Sequence, residues 1–175
     1  MRAPLAAAVA LALAVAGCGY ALVGKGTVID PTIKRIGVPL FKSATAKPGL
    51  DQKVTQKVVE ELLKRARFEV TSERVGADAI VEGELLRFDQ TPVGFSDAGA
   101  TRTQASRYLV TLTARVRYVK VGQDEPIWAN ESFSFRDEYD VGSDPTSFFD
   151  QSGQAIERLS TSFARSLVAA MLEAF

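Results

Sequence analysis

The chain of 175 residues contains no histidine and a single cysteine, Cys18. Histidine is the commonest general base and a frequent zinc ligand, and cysteine is another side chain that often serves as nucleophile or metal ligand. Because the chain has no histidine and only one cysteine, it has few side chains suited to nucleophilic or metal-dependent catalysis. The sequence therefore favours a protein that is not an enzyme and holds no metal or dissociable cofactor.

The chain also lacks an excess of charge of either sign, since 21 lysine and arginine residues balance 21 aspartate and glutamate residues. Proteins that bind nucleic acid are expected to carry a basic patch or a high isoelectric point. We therefore expect no nucleic-acid partner. An anion that binds this protein has to be recognised by a local cluster of basic side chains.

An apolar N-terminal segment ends in Val15-Ala16-Gly17-Cys18. Arg2 precedes it, and the uncharged residues 4–16 are too few for the ~20 residues of a membrane-spanning helix. Small residues before a cysteine are typical of a bacterial lipobox, in which the thiol receives diacylglycerol and the chain is cut before the cysteine. The pattern predicts a signal peptide over residues 1–17 and a covalent lipid on Cys18. A secretory signal that carries a cysteine by chance is the alternative.

Cleavage before Cys18 leaves 158 of the 175 residues, a length expected of one domain. Loss of Arg2 leaves 20 basic against 21 acidic side chains, a net charge of about −1. Residues 18–32 are rich in glycine and show no hydrophobic period, which indicates a lipidated tether. We expect residues 33–175 to form a single α/β sandwich domain.

Hydrophobic periodicity divides this domain into strands and two helices. Alternating residues predict strands over residues 35–41, 68–73, 79–88, 108–118 and 127–139. The last two strands flank a turn at residues 122–126 and are expected to form an antiparallel hairpin. The glycine- and proline-containing residues 90–105 are expected to form a loop.

A four-residue hydrophobic repeat predicts the first helix over residues 50–66, and a second helix runs to the C-terminus. Asp144 is suited to its N-cap and Pro145 to its first turn. Each helix has one apolar stripe to bury. The predicted fold is α+β, with two helices packed on one face of a mostly antiparallel or mixed sheet of about four to five strands.

Basic residues are concentrated in the predicted loop and on the strand that follows it. This set consists of Arg102, Arg107, Arg115, Arg117 and Lys120. Alternate residues of a strand share a face, so Arg107, Arg115 and Arg117 are predicted to form a row. Guanidinium groups in such a row can bind phosphates bidentately. The alternative is a solubilising face whose arginines pair with acidic residues on neighbouring strands.

Three other patterns have simpler interpretations. Residues 19–26 resemble a phosphate-binding loop but lack the hydroxyl residue after Lys25 and follow no strand. Glu82 and Glu84 could act as an acid and base pair, although carboxylates exposed on one strand are the more ordinary interpretation. Acidic residues near the end of the last strand lack the spacing of a calcium loop. Trp128 lies opposite Ile127 by alternation and is either a core residue or a candidate contact for a partner protein.

The chain contains an ordered series of segments: Gly17–Tyr20, Ile36–Phe41, Glu60–Arg65, Ala77–Glu84, Thr91–Phe95, Tyr108–Tyr118, Ile127–Trp128, Phe133–Arg136 and Ala155–Leu159. In this order the segments resemble the lipopolysaccharide-assembly lipoprotein family LptE. The resemblance covers nearly all of the chain after the signal peptide.

The resemblance implies a non-catalytic subunit of the outer-membrane lipopolysaccharide translocon, with two helices on a mixed four-stranded sheet. Family members are anchored through lipid to the periplasmic side of the outer membrane and plug a β-barrel partner, LptD. Some bind lipopolysaccharide, for which the basic set from Arg102 to Lys120 is our own candidate. Gly19, where an aspartate would signal retention, fits release to the outer membrane. An accessory lipoprotein of another envelope lipid or ABC-type transport system is the alternative function.

The lipobox makes a direct prediction. Replacing Cys18 with serine should leave a soluble or uncleaved product, because one or more acyl chains on this residue provide the expected membrane anchor. Fractionation of cells labelled with fatty acid measures the effect. Recovery of a labelled serine variant in the membrane fraction would contradict the lipobox. Partial function of the variant would not, since a plug enclosed by its barrel can stay in place without lipid.

Overall fold

A computed structural model of the chain describes residues 30–65, 68–97, 103–141 and 145–173. Cys18, Arg102 and Asp144 therefore lie outside the described residues. The described elements, in chain order, are β1 (Arg35–Gly37), β2 (Lys42–Ser43), α1 (Leu50–Lys64), β3 (Glu69–Thr71), β4 (Ala79–Asp97), β5 (Thr103–Lys120), β6 (Pro126–Asp140) and α2 (Pro145–Glu173).

All the described strands belong to one mixed sheet in the order β3-β1-β4-β5-β6, and β2 adds to β4 beside β1. β1 is parallel to β3 and β4, and β2 is parallel to β4. The three long strands β4, β5 and β6 are antiparallel. The α+β prediction is confirmed, with six strands instead of four to five. The extra strand is β2, which begins just beyond the strand predicted over residues 35–41, and β1 ends at Gly37 before Pro39.

The alternation of β5 places one of its faces in the core. Val110, Leu112, Ala114 and Val116 have no exposed surface, while the residues between them are half-buried or exposed. The buried stripes of both helices join the same hydrophobic cluster, with Val54 and Val58 from α1 and Leu159, Phe163 and Leu167 from α2. The helices also pack on each other. The opposite face of the sheet, called the outer face below, has no helix over it among the described elements.

The loop predicted over residues 90–105 is wrong for most of its length, because β4 continues to Asp97 and β5 begins at Thr103. β1 and β2 pair with β4 only as far as Leu85, so the rest of β4 is an edge strand. Proline is tolerated at edges and bulges, where no backbone donor is needed. The register shifts on either side of Gly94 absorb Pro92 and the glycine without ending the strand.

A glycine closes the β5–β6 hairpin as the sequence predicts. Gly122 has a φ of 85°, a left-handed conformation that glycine adopts without steric cost. The backbone N–H of Gln123 donates to the carbonyl of Lys120 at 3.1 Å, and β6 begins at Pro126. Neither helix within the described ranges is long and apolar enough to cross a membrane.

Ion pairs join the two helices through Glu157 of α2. Its carboxylate lies 2.6 Å from the ammonium of Lys53 and 2.8 Å from that of Lys57, both on α1. Hydrogen bonds from these lysines, Lys53 first, lower the pKa of Glu157 from 4.5 to about 2. The pair therefore stabilises the helix packing only while Glu157 is ionised.

The one-sided core predicts a large difference between neighbouring positions of β5. Leu112→Asp places an unpaired carboxylate among apolar side chains and should cost several kcal/mol out of a total stability of ~5–15 kcal/mol. Thr113→Asp on the outer face of the same strand is the matched control and should change the free energy of unfolding by less than ~1 kcal/mol. Urea denaturation followed by circular dichroism measures both. Equal losses for the two variants would contradict the assigned faces.

The inter-helix ion pairs predict a pH dependence. Because the pKa of Glu157 is lower in the folded chain, its contribution is complete above the unfolded value of 4.5 and is lost as pH falls toward 2. Glu157→Gln should remove this part of the acid loss and flatten the stability profile between about pH 5 and pH 2. Denaturation midpoints across this range test it. An unchanged profile in the variant would show that Glu157 does not contribute.

Candidate functional site

The outer face carries the arginines that the sequence singled out. Arg115 and Arg117 of β5 lie directly across from Glu84 and Glu82 of β4 in the strand register. Both arginines are exposed, whereas Val116 between them is fully buried. The predicted placement of these two side chains on one polar face is therefore correct.

Two of the predicted arginines are engaged by carboxylates. Arg115 contacts Glu131 at 2.5 Å through Nε and Glu84 at 2.8 Å through Nη1. Arg107 contacts Asp140 at 2.7 Å through Nε. These carboxylates raise the pKa of both guanidinium groups, with Glu131 the largest contributor for Arg115 and Asp140 for Arg107. For Arg107 and Arg115 the structure therefore agrees with the alternative interpretation, in which the arginines pair with acidic residues on neighbouring strands.

Arg117 differs from its neighbours, since it forms no ion pair within the described ranges. The carboxylate opposite it, Glu82, instead contacts Nη1 of Arg74 at 2.5 Å. Arg74 lies in the turn that follows β3, and its side chain is 57% exposed. Arg117 is therefore a cation on the outer face that the neighbouring strands do not neutralise.

The predicted basic set does not form one continuous row. Arg107 is eight residues from Arg115 along the strand, about 26 Å at the usual rise of an extended chain. Such a separation is too large for one phosphate group to bridge. Arg107 instead borders a separate cleft of about 340 Å³ beside α2, where Arg158, Glu138 and Asp140 keep the charge in balance.

Lys120 does not lie on the polar face with the arginines as the sequence suggested. Its ammonium contacts Asp30 at 2.5 Å and donates to the hydroxyl of Thr32 at 2.9 Å. Hydrogen bonds from Lys120 and Thr32 hold the pKa of the Asp30 carboxyl well below its usual range. The physical reason is that alternate residues of a strand share a face. Lys120 is therefore on the same face as the buried Tyr118, and its side chain extends to Asp30 in the segment before β1. Whether Lys120 binds a ligand stays a prediction.

Burial raises the pKa of Tyr118, which lies near the Lys120–Asp30 ion pair. Tyr118 is 3% exposed, and its hydroxyl has no hydrogen-bond partner in the part of the chain that the structure describes. Burial, with a smaller contribution from the charge of Asp30, raises the pKa of Tyr118 to about 12. The ring therefore remains neutral at physiological pH and serves as a core residue at this end of the sheet.

A cleft of about 220 Å³ opens on the outer face around Arg115 and Arg117. Lys42 and Arg74 add two more basic side chains to its lining, and Glu82 and Glu84 are its acidic residues. Pro39 and Leu40 complete one apolar wall. Four cations against two carboxylates make the lining basic, and we refer to it below as the basic cleft.

Packing on the helix side positions β2 and therefore Lys42. The backbone N–H of Phe41 donates to the hydroxyl of Thr55 in α1 at 3.0 Å, and the ring is 1% exposed. A β-carbon at Gly83 would overlap this ring, so only glycine fits between Glu82 and Glu84. With Phe41 held inward, Lys42 lies beside Glu84 on the outer face.

Sequence periodicity missed Lys42 and Arg74. The first belongs to a two-residue strand, and the second lies in a turn, so neither is part of an alternating pattern. The parallel register of β2 with β4 is a tertiary contact that no local signal announces.

Trp128 lies on the helix side of the sheet and is half-buried. Its ring packs edge-on against Phe133 with centroids 6.2 Å apart, and Phe133 packs in the same way on Phe163 at 5.3 Å. The core interpretation accounts for these contacts. A contact between the remaining exposed part of Trp128 and a partner protein stays a prediction.

The acidic residues considered in the sequence are also engaged. Glu82 and Glu84 form the ion pairs described above, which is the ordinary interpretation for carboxylates on an exposed strand face. Asp137 contacts Arg158 at 3.5 Å and Asp140 contacts Arg107. Over the described ranges, no group of three or more acidic or other ligating residues could hold a metal ion.

Comparison with known proteins extends this description. The model of a family described as LptE, Lipopolysaccharide-assembly, matches residues 33–171. No curated protein matches the chain by sequence.

Solved structures share the fold at low identity. A DUF330 protein from Xanthomonas campestris has a TM-score of 0.53 at 13% identity, with 80% of this chain and 84% of that chain covered. Uncharacterized lipoprotein B from Nitrosomonas europaea has a TM-score of 0.54 at 6% identity, with 80% and 83% covered. A PelC variant from Paraburkholderia phytofirmans has a TM-score of 0.50 at 12% identity, with 86% and 96% covered.

Proposed function

Because the chain belongs to the LptE family of lipopolysaccharide-assembly proteins, we propose that it is an outer-membrane lipoprotein that plugs an LptD-type β-barrel. In this role it helps to deliver lipopolysaccharide to the outer leaflet. The match over residues 33–171 is the observation that carries the proposal, since it spans the whole described sheet and α1 and nearly all of α2. The family consists of accessory lipoproteins without enzymatic activity.

The proposed anchor limits where the domain can stand. Asp30 is twelve positions after Cys18, and an extended chain over that distance reaches at most about 43 Å. Asp30 is held to the end of β5 by Lys120. A lipid on Cys18 would therefore keep the domain at the periplasmic side of the outer membrane, with the Lys120 end of the sheet nearest to the tether.

The outer face has the character that a plug needs. Bacterial outer-membrane barrels are apolar toward lipid and polar inside. A sheet face that carries arginine, glutamate, serine and threonine side chains can lie against such an interior without burying unpaired apolar surface. Thr111, Thr113 and Ser134 provide the uncharged polar part of this face.

Lipopolysaccharide is the second proposed partner, and its phosphates are the groups that the outer-face arginines would meet. The candidate residues remain Arg102, Arg107, Arg115, Arg117 and Lys120. The structure supports the pair Arg115 and Arg117 as the centre of such a surface, because they share the basic cleft. Arg107 pairs with Asp140 at the cleft beside α2, and Lys120 pairs with Asp30 where the chain enters the domain.

The fold itself is compatible with other envelope roles. The likeness to PelC shows that chains outside the LptE name share this architecture. An accessory lipoprotein of another envelope lipid or ABC-type transport system is therefore the competing function. The two functions differ in their consequence, because only the plug role requires the folded chain for normal levels of mature barrel and surface lipopolysaccharide.

Complementation of a depletion strain tests the proposal. Phe163→Asp puts a charge at a fully buried position of α2, whereas Arg165→Asp changes an exposed residue of the same helix and is the matched control. The buried change should lose folding stability by several kcal/mol and lower the level of mature barrel and of surface lipopolysaccharide. The control should restore both. A Phe163→Asp chain that is unfolded by circular dichroism while barrel and lipopolysaccharide stay normal would contradict the proposed function.

A further inference from the structure

We propose that the basic cleft is a binding site for one phosphate group carried by an amphiphile, with Arg117 and Lys42 as its principal ligands. This inference rests on the proposed function only for the source of the amphiphile. The geometry of the cleft carries the site itself, and two of its four cations, Lys42 and Arg74, come from segments without a sequence pattern.

The cleft contains basic side chains that its acidic residues do not neutralise. Among the described residues, neither Arg117 nor Lys42 forms an ion pair. Arg74 contacts Glu82, whereas Arg115 contacts Glu84 in the cleft and Glu131 outside its lining. An anion that enters the cleft therefore meets two unpaired cations and two more at its edge.

The existing ion pairs are exchangeable. The side chains of Arg115 and Glu84 are 44% and 37% exposed, and those of Arg74 and Glu82 are 57% and 35% exposed. Exposed ion pairs contribute little stability, since water solvates both partners when they separate. A phosphate that accepts two hydrogen bonds from one guanidinium forms a stronger, geometrically matched contact. The two glutamates can thus turn to solvent as an anion binds.

The cleft is large enough for a phosphate headgroup but not for a whole amphiphile. At about 220 Å³ it is smaller than the ~300–1,000 Å³ typical of pockets that enclose a whole small molecule. Leu40 is 57% exposed at the rim and Pro39 lies beside it. This pairing of a basic floor with an apolar rim fits a phosphate whose hydrocarbon leaves the cleft along the surface.

The position of the cleft brings it near the proposed anchor. Arg117 is three residues from Lys120, about 10 Å along β5 from the ion pair that holds Asp30. The lipid A phosphates of lipopolysaccharide and the headgroup of an anionic phospholipid share the required chemistry, and free phosphate shares its charge. The probes below separate these sources.

Binding is measured on the full lipidated chain in non-ionic detergent micelles by titration calorimetry. The probes are bisphosphorylated lipid A, lipid A with both phosphates removed, phosphatidylglycerol and inorganic phosphate. The variants are Arg117→Gln and Lys42→Gln. Arg136→Gln is the matched control, because Arg136 is exposed on the outer face of β6, lies outside the cleft and has no ion pair within the described ranges.

We expect Arg117→Gln and Lys42→Gln each to weaken binding of a phosphate-bearing amphiphile about tenfold, and Arg136→Gln less than about twofold. Loss specific to bisphosphorylated lipid A assigns the site to lipopolysaccharide, and loss specific to phosphatidylglycerol assigns it to phospholipid. Equal losses in all three variants, no loss in any, equally tight binding of dephosphorylated lipid A, or binding of inorganic phosphate alone would each overturn the proposal.

Copurification of the wild-type chain with a β-barrel is scored separately. Absence of the barrel would refute the proposed function while the binding data still decide the site. Conversely, retention of the barrel by Arg117→Gln and Lys42→Gln with unchanged affinity for both lipid A and phosphatidylglycerol would refute the site and leave the plug role intact. Far-ultraviolet circular dichroism of each variant confirms that its fold is retained.

Discussion

The rest of the structure depends on a core that lies on only one side of the sheet. β5 alternates without interruption from Val110 to Tyr118, so every second side chain of its central part is removed from water. Two helices supply the opposing apolar stripes. Because hydrophobic burial is the dominant favourable contribution to folding, this single layer of contacts fixes which face of the sheet is left for other molecules.

The outer face carries a set of cross-strand ion pairs, and basic side chains outnumber acidic ones in the basic cleft. Glu84 and Glu131 flank Arg115, whereas Arg117 and Lys42 have no acidic partner in the described ranges. The near-zero net charge of the chain conceals this local imbalance. The imbalance in the basic cleft is the observation on which the proposed phosphate site depends.

The sequence predicted the parts of the fold that local patterns encode. The helix at Leu50–Lys64, the hairpin of β5 and β6 and the start of α2 at Pro145 all follow from periodicity and from turn or cap residues. Strand order and register depend on contacts between distant segments. Proline and glycine therefore predict a loop over residues 90–97, because they break strands unless the strand is an edge.

The site was predictable to the same extent. Strand parity placed Arg115 and Arg117 together on the polar face. Lys120 is a basic candidate because it is near these arginines in sequence, whereas parity assigns it to the buried face, where Asp30 holds its ammonium. Lys42 and Arg74 enter the cleft through a two-residue strand and a turn. The position of that strand depends on the packing of Phe41 against α1 and on the glycine at position 83.

We propose that this chain is the plug of a lipopolysaccharide-transporting barrel. The most direct measurement is purification of the native lipoprotein from solubilised envelopes, followed by identification of its tightest stoichiometric partner. The account predicts a large β-barrel with a lipopolysaccharide-transport periplasmic domain, retained at high salt. An inner-membrane transporter as the stoichiometric partner, with no barrel present, would contradict it.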